Sequence, residues 1–377
     1  MRISLVSLGQ TGAGPVYSLE MAKALAECEE CELQVIISSN VKNIDAWNKA
    51  FIESDVDYHE INSYKHSKSS VILSCINIAK QEKLVRLIKS FRPDILYIPF
   101  GLMWSRYVYF RLHKKVRIIS TIHDVNFHDV WYKMSMAELG AHLLTYGSNR
   151  YLDGIVLLNN KDVKLVRERT GKSICVIPHA SFSYYFKDLQ CSDTRIRVKK
   201  CIGLFGRMEP YKGLDLLVEA FEKTKTPGLQ LLIAGSGGIN EIILSRIKSN
   251  SNIKLINRYI EDDEFRGLLD QVDFVVLPYK RASQSGVIPM SFAAGKTVIA
   301  TNVGAISEQV PEGTGIITDV DSSKIAEIID ELYINEKRIF QLCMNAKHYA
   351  DTELSWSRSA KNLIKFAETI ILHHKYI

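Results

Sequence analysis

Short apolar runs alternate with amphipathic helical stretches from residue 3 onward, and the alternation restarts after a break near residue 180. The run at 3–8 carries no charge and is followed by Gly12 and Gly14. After these glycines Met21, Ala24, Leu25 and Cys28 recur at i, i+3, i+4 and i+7, the stripe of a helix that buries one face. Further strands are expected at 33–37, 95–98, 116–121 and 154–158, with helical stretches between them, the longest at 71–89. Strands that are apolar on both faces belong to a parallel sheet covered by helices on each side. A second series begins at Lys200, with strands expected at 201–205, 230–234, 253–256, 274–277 and 297–301. Its first helix repeats the helical spacing with Leu214, Leu217, Val218 and Phe221. Between the two series, 178–197 holds a proline, clustered aromatics and then charged residues, which read as a linker.

The chain of 377 residues exceeds the ~250–300 at which a single core stops growing. The pattern therefore predicts an α/β protein of two Rossmann-like, doubly wound domains, at 1–180 and 198–355. The helical stretch 356–377 is expected to cross back to the first domain. In open sheets of this kind ligands sit beyond the carboxyl ends of the strands, here expected to face a central cleft.

Net charge is +6, too little for a nucleic-acid-binding profile but suited to an anionic small ligand or an acidic membrane surface. No apolar run approaches the ~20 residues of a membrane span, and the first residues lack the pattern of a secretion signal. The expected location is the cytoplasm, with peripheral contact at the inner face of the plasma membrane. Seven scattered cysteines form no disulfide framework, and Cys28-x-x-Cys31 has no second pair at metal-site spacing.

Four segments carry chemistry. Gly206-Arg207-Met208-Glu209-Pro210-Tyr211-Lys212-Gly213 follows an apolar strand and opens a helix. Arg207 and Lys212 lie five residues apart across the turn, so both can reach an anion at the helix N-terminus, where free N–H groups and the helix dipole already favour negative charge. The stretch 278–289 also follows a buried strand, and Ser285 and Gly286 place small residues where backbone amides approach a phosphate. Gly12-Ala13-Gly14 lacks the third glycine of a dinucleotide fingerprint, since Tyr17 stands there, and Ser38-Ser39-Asn40 replaces the acidic residue expected after the next strand. The fourth segment, 121–129, ends a buried strand with His123, Asp124 and His128. His123 is a candidate donor to a sugar hydroxyl, with Asp124 orienting it or acting alone. No third ligand cluster accompanies these groups, so no metal is expected. The stretch 100–115, which includes Trp104, interleaves aromatic and basic residues on an expected helix of the kind that can lie on an anionic bilayer.

Several of these segments resemble the large retaining glycosyltransferase family of two-Rossmann (GT-B) architecture known as family 4. The segment GRMEPYKGLDLLVEAF is similar to that family's phosphate-binding motif, which implies that Arg207 and Lys212, with Gly206, hold the donor diphosphate. INRYIEDDEFRGLLDQVDFVVLPYK resembles the base-binding turn and the strand before the donor loop, placing residues 257–260, with Tyr259 and Ile260, against the nucleobase. SQSGVIPMSFAAGKTVIATNVGAISE resembles the donor loop and the helix after it, and HDVNFHD the segment of the active-site histidine, here His123. The family's two donor-loop glutamates fall on Ala282 and Met290, so the chain looks like the SQSG subgroup. Gln284 and the backbone of Ser285, Gly286 and Val287 are the substitutes, with Glu308 a further acidic candidate.

The resemblance implies metal-independent transfer of a hexose or N-acetylhexosamine with retention. The co-substrate would be a nucleotide-diphosphate sugar, with a UDP-sugar favoured over a GDP-sugar and the same phosphate grip open to uridine, guanosine and adenosine donors, and no other cofactor is implied. The acceptor would be a glycan or lipid-linked oligosaccharide of bacterial surface polysaccharide synthesis, received near Gly12–Tyr17, residues 100–107 and 126–131, with Tyr17, Trp104, Asp124 and His128 in that region. Gly14 would add to the diphosphate grip once the cleft closes. Two other readings share the architecture: a nucleotide-sugar epimerase, and a nucleotide-sugar-binding module without catalysis. An oxidoreductase is disfavoured by the failed dinucleotide fingerprint.

Overall fold

The structure is a computed structural model that describes residues 1–64, 68–123, 125, 147–181 and 200–375. The described residues divide into two compact units, one of residues 1–178 together with 356–377, the other of residues 179–355. Elements are numbered over the described residues.

The first unit is built from β1 (Arg2–Ser7), α1 (Ala13–Ala26), β2 (Glu32–Ser38), α2 (Ile44–Phe51), β3 (Asp57–Ile61), α3 (Lys68–Ile76), α4 (Ile78–Phe91), β4 (Ile95–Ile98), α5 (Ser105–Leu112), β5 (Arg117–Ile122), β6 (Gly154–Leu157), α6 (Val163–Thr170) and β7 (Ser173–Val176). Its seven strands run in the order β3-β2-β1-β4-β5-β6-β7, every neighbouring pair parallel. Sequence order reverses between β1 and β4, the switch point at which the β1–α1 and β4–α5 connections diverge to opposite sides.

The second unit contains β8 (Cys201–Phe205), α7 (Leu214–Lys223), β9 (Gln230–Gly235), α8 (Glu241–Ser249), β10 (Ile253–Asn257), α9 (Asp262–Asp270), β11 (Phe274–Leu277), α10 (Val287–Ala293), β12 (Val298–Thr301), α11 (Ile306–Gln309), β13 (Ile316–Thr318), α12 (Ser322–Ile334) and α13 (Glu336–Thr352). The order β10-β9-β8-β11-β12-β13 repeats the plan of the first sheet, with the switch point between β8 and β11. The last helix, α14 (Trp356–Lys375), returns to the first unit. Its Ala360, Leu363, Ile364, Ala367 and Ile370 enter the core that holds Ile3 and Leu5. Gly154 is required there, because a Cβ on it would lie 2.8 Å from the Phe366 ring.

Two expectations need correction. The single helix expected at 71–89 is two, α3 and α4. Asn77 interrupts them with a non-helical backbone and caps α4, its side chain accepting from the Lys80 amide. Three strands went unread, β3, β7 and β13. All three are sheet edges, with one neighbour each. An edge strand is covered less fully, so its sequence, as in Asp57-Tyr58-His59-Glu60-Ile61, loses the unbroken apolar character that marks the inner strands.

Candidate functional site

In the second unit the site grows from the switch point. β8 ends at Gly206, whose φ of 106° is a conformation only glycine adopts readily. The chain then passes Arg207 and the buried Met208 into a short 3-10 turn, Pro210–Lys212, and reaches Gly213, the N-cap of α7. Gly213 has φ +70°, and a Cβ on it would stand 1.9 Å from the Pro278 carbonyl oxygen. The turn after β8 is thus pressed against the start of the loop after β11. A second tie, the Lys280 amide donating to the Tyr211 carbonyl at 2.7 Å, holds the two loops together.

This packing aims Lys212 inward. Its ammonium nitrogen would lie 2.8 Å from a Cβ on Gly206 and sits 5.1 Å from the centre of the Tyr279 ring. Among the described residues no carboxylate or carbonyl accepts from it, and Arg207, exposed beside it, has no ion-pair partner. Burial lowers the Lys212 pKa below the ordinary lysine range, and the neighbouring Arg207 guanidinium lowers it further, while Tyr211 and Glu209 act in the opposite sense. Two adjacent cations without an ion-pair partner among the described residues, at a strand-to-helix turn of the switch point, suit a ligand with two negative charges.

The loop after β11 completes the rim. Tyr279 is buried, and its hydroxyl lies 3.1 Å from Ser285 Oγ. Thr301 Oγ1 donates to the Tyr279 carbonyl at 2.5 Å. Gly304 lets the loop pack down, since a Cβ there would meet the Ala282 carbonyl oxygen at 1.5 Å. Gln309 on α11 then grips the loop from both sides: its Oε1 accepts from the Ser285 amide at 2.7 Å, and its Nε2 donates to the Ser285 carbonyl at 3.2 Å. The Ser285 and Val287 amides are consequently engaged within the protein, the latter donating to Ser285 Oγ at 3.3 Å. Gly286 is exposed, with open space where a side chain would be. Of the three backbone amides expected to meet the ligand, that of Gly286 is the one placed to do so without first breaking an internal bond. Gln284 and Glu308 are both half-buried, Gln284 in this loop and Glu308 one residue before Gln309.

The turn expected to meet a nucleobase follows β10. Asn257 ties it to the β9–α8 connection, its Oδ1 accepting from the Gly237 amide and its Nδ2 donating to the Gly237 carbonyl, both at 3.1 Å. Arg258 pairs with Glu264, Tyr259 is 63% exposed, and Ile260 packs partly against the core. Tyr259 is the exposed aromatic side chain of this turn.

The first unit brings His123, Tyr17, Phe100 and Gly14 together. The His123 ring centre lies 4.7 Å from that of Tyr17, edge-on, and 4.3 Å from that of Phe100. His123 Nε2 faces the Pro99 carbonyl at 2.9 Å, which holds the imidazole in the tautomer with its proton on Nε2. Gly14 is buried inside α1, and Phe100 occupies its open side, since a Cβ would fall 2.8 Å from that ring. Tyr17 is 1% exposed, with its phenol pushed up to about 12 by burial. It serves as a packing wall for His123 and touches Trp356 at 5.1 Å between ring centres. Trp104 is buried too, its indole N–H donating to Ser74 Oγ at 3.1 Å. Asp124 and His128, with the rest of 126–146, lie outside the described residues.

Residues 199–335 match the family model Glycosyl transferases group 1. That matched segment covers the turn that carries Arg207 and Lys212 and the Gln309 grip. Among curated relatives, a GDP-mannose:glycolipid 4-beta-D-mannosyltransferase of Xanthomonas campestris is 24% identical over 136 residues, 34% of this chain and 39% of the relative. The O-antigen biosynthesis glycosyltransferase WclY of Escherichia coli is 24% identical over 311 residues, 77% of this chain and 82% of the relative. The chain spans only 39% to 48% of the length of the first three curated relatives. A crystal structure of Anabaena HepE in complex with UDP matches 98% of this chain and 100% of that one, with a TM-score of 0.71 at 16% identity. The likeness establishes the fold as two Rossmann-like domains of the GT-B kind.

Gln309 was not legible in the sequence. Its partner Ser285 lies twenty-four positions earlier, and a glutamine at the end of a four-residue helix carries no pattern of its own. Truncating it leaves both the amide and the carbonyl of Ser285 without their partner. Gln309→Ala is expected to weaken nucleotide-diphosphate affinity by roughly tenfold, in the range of one or two lost hydrogen bonds. Calorimetry on the variant checks this, and an unchanged affinity would remove the grip from the site.

Proposed function

We propose that the chain is a retaining, metal-independent glycosyltransferase that moves a hexose or N-acetylhexosamine from a nucleotide-diphosphate sugar to a glycan or lipid-linked acceptor. One observation carries this reading: the largely desolvated Lys212 ammonium beside Arg207, with no ion-pair partner for either among the described residues. A diphosphate supplies that partner. As the bond between the anomeric carbon and the donor phosphate oxygen breaks, negative charge grows on the leaving diphosphate. Arg207, Lys212 and the Gly286 amide stand ready to receive it without reorganising. The new glycosidic bond forms to the acceptor oxygen, and the acceptor proton passes to an oxygen of the leaving phosphate. On this reading His123, whose Nε2 proton is held by the Pro99 carbonyl, can meet a hydroxyl of the transferred sugar only as an acceptor through Nδ1 rather than as the donor the sequence suggests, and Tyr259 lies against the base. The similarity to enzymes named for glycolipid mannosylation and O-antigen synthesis supports a role in bacterial surface polysaccharide assembly, on a lipid-linked acceptor.

The test is a thermal-shift panel of UDP, GDP and ADP with their sugars. A ligand present at 100 times its dissociation constant adds about 2.7 kcal/mol to stability. The expected result is a shift with UDP and its sugars, with donor consumption only when an acceptor is added, unchanged by a chelator. Isomerisation of the donor without acceptor would indicate an epimerase instead. Binding without consumption across acceptors would indicate a module without catalysis.

A further inference from the structure

A pocket of about 580 Å³ opens on the first unit between α3, α4, α5 and the 3-10 turn at Ser148–Tyr151, and nothing in the reading above uses it. Its floor is apolar, made by Cys75, Met103 and the buried Trp104. Its walls leave large hydrophobic side chains in solvent: Ile76 is 65% exposed, Ile78 59% and Phe110 57%, with Leu73 on the same α3 helix 61%. Side chains of this size gathered at one mouth mark an interaction site.

The break at Asn77 creates the mouth. On one continuous helix, residues two apart point to nearly opposite faces. The non-helical Asn77 instead lets Ile76 and Ile78 line the same pocket. Charge identifies what they face. The four surrounding elements carry eight Lys or Arg and a single carboxylate, Glu82. Glu82 is already taken, accepting from Tyr107 at 2.8 Å and Arg111 at 2.5 Å. Arg106 and Arg150 line the pocket. Among the described residues neither pairs with an acid, Arg150 instead lying over the Tyr151 ring at 4.7 Å and donating to its hydroxyl. The whole chain has an excess of only +6, so these four elements carry more net positive charge than the rest of the chain together, and Arg106 and Arg150 bring it to the mouth.

We propose that this pocket docks the chain on an anionic bilayer, an acyl chain entering between Ile76, Ile78 and Phe110 while Arg106 and Arg150 hold the acidic headgroup. Apolar insertion and headgroup attraction together give the two contributions that reversible membrane binding needs. The proposal stands apart from glycosyl transfer and needs no donor to be tested.

The full chain is sedimented with vesicles of phosphatidylcholine alone or with 30% phosphatidylglycerol. Binding is expected only to the anionic vesicles, and to fall steeply as salt rises from about 0.05 to 0.5 M. Arg106→Glu with Arg150→Glu is expected to lower the apparent affinity at least about tenfold. Ile78→Ser with Phe110→Ser is expected to lower it by a similar factor with both arginines intact. Lys248→Glu, an exposed charge of the second unit, should leave it unchanged. All five side chains are exposed, and unchanged melting temperatures check that the variants fold. The proposal is overturned if the wild type ignores anionic vesicles, or if Lys248→Glu weakens binding as much as the arginine pair. It is overturned equally if the serine pair binds like wild type, or if the mouth variants act by dissolving a dimer seen by light scattering.

Discussion

Replacing Lys212 with methionine is expected to lower turnover by roughly 10²–10³, the loss seen when one preorganised donor to a developing charge is removed, while making the ligand-free protein more stable. The two effects share one cause. Burial and the Arg207 guanidinium both disfavour the protonated lysine, which is why its pKa lies below the ordinary lysine range. Where the ammonium is charged in both the folded and the unfolded chain, its unfavourable surroundings cost stability in full. Methionine fills similar space without charge. The gain is expected to be about 0.5–1 kcal/mol, at the low end of such changes because the group is only half-buried and water screens part of the cost. As pH rises through the lowered native value toward the ordinary one, the folded lysine loses its proton first, and wild-type stability rises. The advantage of methionine should therefore shrink across that window. Donor affinity of the wild type should weaken over the same window, since the neutral amine no longer attracts a diphosphate. Paired melting curves and nucleotide titrations between pH 7 and 10 check both trends. A variant that is both less stable and fully active would mean that Lys212 is a packing residue.

Gly213→Val is expected to destabilise the second unit by roughly 2–5 kcal/mol. A left-handed backbone costs a side-chain-bearing residue about 1–2 kcal/mol, and overpacking typically adds 1–3. Both apply here, with φ at +70° and the Pro278 carbonyl 1.9 Å from the added Cβ. To relieve the clash the turn after β8 must move away from the loop after β11, which displaces Lys212 from Gly206. Nucleotide affinity should fall with stability. Gly238→Ala serves as control: its φ is not positive and a Cβ there meets nothing within 4 Å. Urea titration followed by a probe in the second unit distinguishes the two, and equal stability of the two variants would refute the packing account.

The inner strands were readable because burial on both faces removes every charge from them: Cys201–Phe205 and Phe274–Leu277 fall where the apolar runs place them. The strands β3, β7 and β13 and the Asn77 break were not, since those strands are partly polar or very short and the break rests on a single capping side chain. Arg207 and Lys212 were legible as a pair because the strand–turn–helix context fixes where their backbone goes. What the sequence could not reveal was direction. Lys212 turns inward because Gly206 vacates the space, and Gly14, read as a phosphate contact, has its open side filled by Phe100. Tyr17 and Trp104, expected to meet an acceptor, are buried packing residues whose aromatic surface braces His123 and floors the pocket of the first unit. The Gln309 grip joins residues that no local spacing relates.

A crystal structure of the chain with bound UDP tests the central claim most directly. The account predicts phosphate oxygens within about 3 Å of Lys212 Nζ and of the Arg207 guanidinium, a charge-assisted bonding distance, with Gln309 still holding Ser285. Density for the diphosphate away from the turn after β8, or both cations facing away from it, would contradict the account.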